Sequence, residues 1–153
     1  MPLVSMNRRV LSDLVFHEID PSVGYSRQDL NITPDGEITL GTVVVRAKAA
    51  TNTAATPWTV LDAASDVVAT NEFAIVYGDH FGFNEAFTPR TIANGRFNAV
   101  GFVGKNGGLQ LKDWLVKEVA QDSEGAALTD TQFEQLRDLL KAQGIILEVT
   151  LGV

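Results

Sequence analysis

The chain has 153 residues, 45% of them hydrophobic and 20% charged, which is enough apolar material for one globular domain to fold around its own core. It contains no cysteine, which excludes disulfides, thiolate nucleophiles and Cys-based metal sites. A net charge of −7 and a pI near 4.7 oppose contact with phosphate backbones, and the one close basic pair, Arg8-Arg9, is too short for a polybasic tract, so nucleic acid is not an expected partner.

No stretch approaches the ~18–20 consecutive apolar residues of a membrane span. The first residues mix Asn7, Arg8, Arg9, Ser12 and Asp13 among their apolar neighbours, so neither a signal peptide nor an anchor is expected, and the protein is expected to stay where it is made. Residues 1–24 read as an extended arm. Asp20-Pro21-Ser22-Val23-Gly24 is turn chemistry, because Pro fixes φ and Gly permits positive φ. The arm's apolar residues Val10, Leu11, Leu14, Val15 and Phe16 lack an obvious partner in a small core and are candidates for an intermolecular contact.

Residues 25–153 read as a single body. Leu30-Asn31-Ile32 and Glu37-Ile38-Thr39-Leu40 alternate apolar and polar residues around Asp35-Gly36, a hairpin-like pattern. Thr42-Val43-Val44-Val45, β-branched throughout, predicts a strand after Gly41, and the Ala, Thr, Asn and Lys residues of 47–56 predict an exposed loop. Further strands are expected from Trp58 to Leu61, across Phe73-Ala74-Ile75-Val76-Tyr77, and from Phe97 to Val103. Phe81 to Thr88 is irregular, with three Phe among Gly and Asn.

A helix is predicted from Leu109 to Ala120, with Leu111, Trp114, Leu115 and Val119 near one face, although Leu109-Gln110-Leu111 can also open as a strand. The second helix, Asp130 to Gln143, has the clearest local signals. Thr129 and Gln132 form a capping box, and Leu128 and Phe133 form a hydrophobic staple. Leu136 and Leu140 continue the apolar stripe and should be buried, and Gly144 ends the helix. Ile145-Ile146-Leu147-Glu148-Val149 then closes the chain as a strand. No internal repeat of fixed period is present.

Chemistry-bearing residues are few. Asp79-His80 between Tyr77-Gly78 and Phe81-Gly82 could be half of a catalytic or metal site, but a turn in which Asp79 accepts backbone N–H groups is the simpler account. His17, Glu18 and Asp20 admit a surface metal reading, against which stands a solvated acidic turn. Gly104-Lys105-Asn106-Gly107-Gly108 is not a phosphate loop, since its Lys precedes the Gly pair and no Ser or Thr follows. There is no G-x-S-x-G elbow. Phe81, Phe83, Phe87 and Phe97 are not interleaved with a basic groove, apart from Arg90 and Arg96, so packing is expected of them rather than base stacking. No catalytic, cofactor or metal residues are assigned, and an enzyme is not expected.

The succession Gly24-Tyr25-Ser26-Arg27, Leu30-Asn31-Ile32, Asp35-Gly36 and Ile38-Thr39-Leu40-Gly41-Thr42-Val43-Val44 resembles the start of the head decoration proteins of lambda-type tailed phages. The stretch from Leu128-Thr129-Asp130 through Leu139-Leu140 to Gly144-Ile145-Ile146 resembles that family's last helix and closing strand, whereas residues 95–127 depart from its compact pattern. The resemblance implies an α+β fold with a small barrel-like body of the β-tulip type, a C-terminal helix and a closing strand, preceded by the arm. It implies a homotrimer on the outer surface of the virion's expanded capsid, made in the bacterial cytoplasm. The arm, with Ser26-Arg27 at its base, would add a strand to the major capsid protein. No cofactor and no catalytic residue come with the family. The alternatives are another virion part, such as a tail or head-completion protein, or a small enzyme using Asp79 and His80.

Overall fold

A computed structural model describes residues 14–18, 27–33, 36–53, 55–79, 90–92, 97–103, 109–122 and 128–149. The elements in chain order are β1 (Val15–His17), β2 (Arg27–Thr33), β3 (Gly36–Ile38), β4 (Val43–Ala47), β5 (Trp58–Val60), a 3₁₀ turn (Ala64–Asp66), β6 (Asn71–Asp79), β7 (Arg90–Ile92), β8 (Phe97–Phe102), β9 (Leu109–Lys112), α1 (Asp113–Asp122), α2 (Asp130–Ala142) and β10 (Ile145–Glu148). The architecture is α+β, as expected, with a closed five-stranded barrel in the order β2-β5-β4-β6-β8. A three-stranded sheet β1-β9-β10 and a pair β3-β7 complete it.

Val43, Val44 and Val45 on β4, and Phe73 through Tyr77 on β6, are buried without interruption. Strands covered on both faces lose the two-residue alternation, which is why these segments read as continuous apolar runs. The barrel is tight where β8 crosses β2 and β6. Gly101 lies opposite Gln28 on β2 and Val76 on β6, and a Cβ there would collide with Leu30 Cδ1 and stand 2.9 Å from the Ile75 carbonyl oxygen. Only glycine leaves room for that approach.

The Asp35-Gly36 pattern does not produce a hairpin between β2 and β3. β2 is flanked by β8, antiparallel, and β5, parallel, so barrel closure occupies both its edges, and β3 pairs with β7. The predicted helix from Leu109 is also corrected. Leu109 to Lys112 is β9, with Leu109 and Leu111 fully buried and Gln110 and Lys112 half-buried, and α1 starts only at Asp113. β9 is paired on both sides, antiparallel to β1 and parallel to β10, which fixes it as a strand.

α2 follows its sequence signals closely. Thr129 Oγ1 accepts from the Gln132 N–H at 3.3 Å, and Gln132 Oε1 accepts from the Thr129 N–H at 2.9 Å. Leu128, Phe133, Leu136 and Leu140 are all buried. Gly144 takes φ +94°, and its N–H donates to the Lys141 carbonyl. Among the described residues no helix is long and apolar enough to cross a membrane.

A candidate docking edge at the N-terminal strand

Residues 14–18, assigned from sequence to the arm, pair with β9 and pack on the core, and the expected boundary at residue 24 lies outside the described residues. β1 is the outer strand of its sheet, with Val15 opposite Leu111, His17 opposite Gln110 and a register irregularity between them. Leu14, just before the strand, is fully buried, and Val15 packs against the core. Both therefore have a partner in their own chain. Phe16, 58% exposed, and His17 face outward. Val10, Leu11 and Ser26 lie outside the described residues.

Arg27, at the start of β2, reaches back to this strand. Its Nε and Nη2 donate to Glu18 Oε1 and Oε2 at 3.0 and 2.8 Å, a bidentate pair in which the Glu18 side chain is only 3% exposed. The solvated acidic turn expected around Glu18 is thus overturned for that residue. Its carboxylate is withdrawn from water, and the fork geometry of the guanidinium is what makes that tolerable. The guanidinium also stacks 4.7 Å over the Tyr77 ring and 5.7 Å from that of Phe102, and the two rings stack at 4.9 Å. The bond to Glu18 holds Arg27 above its ordinary pKa, against the opposing effect of burial. Burial pushes the Tyr77 phenol up, while Arg27 pulls it back. Sequence reasoning missed this pair. The signal available was two opposite charges flanking the Pro21 and Gly24 turn.

Two other polar clusters tie elements together. Arg46 on β4 pairs with Glu72 opposite it on β6, stacks 4.1 Å over Trp58, and donates to the carbonyls of Thr53 and Thr56. Ala47 ends β4, and residues 48–53, 55 and 56 are mostly exposed, as expected, and are held by these bonds and by Asn52. A shallow cleft of about 110 Å³ beside this cluster is lined by Arg46, Lys48, Trp58 and Gln143 among others. In the second cluster, Arg137 on α2 bonds Asp113 Oδ2 at 2.9 Å and the Leu147 carbonyl at 2.7 Å, joining α2 to the β9–α1 junction and to β10.

Asp79 is the last residue of β6, and His80 lies outside the described residues, as does the segment from Phe81 to Thr88. Among the described residues no three His, Asp or Glu side chains are grouped to hold a metal ion. No family model matches the sequence, and no curated protein or solved structure matches it.

Proposed function

We propose that the protein is a head decoration protein of a tailed phage, which binds the outer surface of the expanded capsid as trimers at threefold and quasi-threefold sites. In this role it stabilises the shell by contact and performs no catalysis, and its barrel is of the β-tulip type. The observation that carries the reading is the position of β1. Among the described residues the barrel strands close on one another, whereas β1, like β10, is an outer strand of a small sheet, and on β1 Phe16 faces out. Unpaired main-chain groups at such a margin are what strand addition uses, with side chains filling pockets for specificity. The order of motifs from Gly24 to Val44 and from Leu128 to Ile146 supports the same reading.

On this reading Val10, Leu11 and Phe16 contact the major capsid protein, while Leu14, Val15 and Arg27 act from within the body. Purified protein mixed with undecorated expanded heads should co-sediment with them in many copies spread over the shell. Deleting residues 1–13, which spares Leu14 and Glu18, should abolish binding and leave the thermal transition of the body in place. Failure of the intact chain to bind, or binding confined to a single ring at one vertex, overturns the proposal; the ring points to a head-completion role instead.

A further inference from the structure

We propose that the Glu18–Arg27 pair is a latch: it holds β1 on β9, and when it opens residues 14–18 leave the body as one unit while the barrel stays folded. β1 has only three residues, its register against β9 is irregular, and Phe16 and His17 contribute little burial. Leu14 is the one fully buried apolar side chain of the segment. On its other face β9 has four regular pairs with β10, and β10 is tied to α2 through Arg137. The three-stranded sheet therefore keeps its better half without β1, and the barrel closes without using β1 at all.

The two ends of the pair are unequal. Arg27 is fixed, since it belongs to β2, which pairs with β8 across six residues, and its guanidinium rests on Tyr77 and Phe102. Glu18 sits at the end of the short strand and is held by both of its oxygens. A carboxylate this deeply buried is not tolerated without its cation. Loss of the pair therefore sends Glu18 to water and carries the adjoining strand with it, so the contact behaves as closed or open. Opening frees residues 14–18 and uncovers the β9 edge at Gln110 and Leu111. This consequence for capsid engagement rests on the decoration reading; the latch itself does not.

Amide hydrogen exchange of the full chain, read by mass spectrometry, tests it in the unmodified protein, in Arg27→Lys and in Glu18→Gln. Amides of 14–18 should exchange faster than those of β6 and β8 in the unmodified protein. They should exchange at least about tenfold faster again in either variant, the factor set by losing a charge-assisted hydrogen bond, with α2 and β10 unchanged. Unchanged exchange at 14–18, or a rise throughout the molecule in the milder Arg27→Lys, overturns the latch, the second because β1 would then unfold only with the whole. The same samples added to undecorated heads separate the two ideas. Heads that bind no form of the protein overturn the decoration reading, while the exchange pattern still decides the latch.

Discussion

At Phe73 the ladder between β6 and β8 has not yet begun, since β8 meets β6 only from Ile75 onward. The backbone there would be left without partners on that side, yet Phe73 is fully buried. Gln143, just past the end of α2, supplies them: its Nε2 donates to the Phe73 carbonyl and its Oε1 accepts from the Phe73 N–H, both at 2.7 Å. One amide side chain thus stands in for a neighbouring strand. Gln143→Leu should destabilise the protein by about 1–3 kcal/mol for each of the two backbone groups left unpaired. Gln135→Ala, on the exposed face of the same helix, should stay within about 0.5 kcal/mol of the parent. Urea denaturation of the two variants reads the difference, and equal midpoints would remove this role from Gln143. Nothing local marks the residue in the sequence, because its partner lies 70 positions earlier. Glu18 and Arg27 were hidden for a related reason: charge and spacing are visible, but burial, which gives the pair its consequence, is set by the fold.

Elements differ in how far their signals are local. α2 was legible nearly to the residue, because its capping box, staple and Gly144 lie within or beside the helix they define. Its buried stripe is correspondingly demanding. Leu136→Ala should cost about 2–5 kcal/mol, as expected for a fully packed leucine, and a loss below about 1 kcal/mol in chemical denaturation would show that the site collapses around the smaller side chain. β4, β5, β6, β8 and β10 were legible as strands from their apolar and β-branched content, but not their partners. The 30–40 region shows why: its alternation correctly marked Ile32, Ile38 and Leu40 as inward, yet β2 went to β8 and β5 because the barrel needed both its edges. β9 failed differently. Four residues are too few for a period of two to be told from helical spacing, particularly when α1 follows without a break and continues the apolar stripe through Leu115. β1 lies within the segment expected to be arm because the turn at Pro21 and Gly24 marks a break after it, and its pairing with β9, some ninety residues later, leaves no local mark.

At the scale of the whole molecule, the proposed role requires copies of the chain to meet at a threefold site. A trimer interface would be expected to hold Trp or Phe side chains near its centre. Trp58 is buried beneath Arg46 and Trp114 packs against the body's own core, while Phe81, Phe83 and Phe87 lie outside the described residues. Among the described residues the exposed large apolar side chains are Phe16, Val68 and Val149. A permanent interface hides roughly 800 Å² or more per partner and is rich in apolar groups. Each chain also carries −7, and like charges oppose association until salt screens them, over a Debye length of about 10 Å at 0.1 M. The proposed trimer is therefore expected to form on the shell, where a threefold site gives three equivalent contacts and each bound arm raises the effective concentration of the next. Light scattering at micromolar concentration and low salt should give the mass of one chain, 16.5 kDa. Reconstructed decorated heads should show density with threefold symmetry, and the transfer of protein onto heads should rise more steeply than linearly with its concentration. A trimer already present in dilute solution at low salt would mean an interface strong enough to outweigh this repulsion. A dimer seated on twofold axes would sink the proposed assembly and assign the protein to a different class of cement protein.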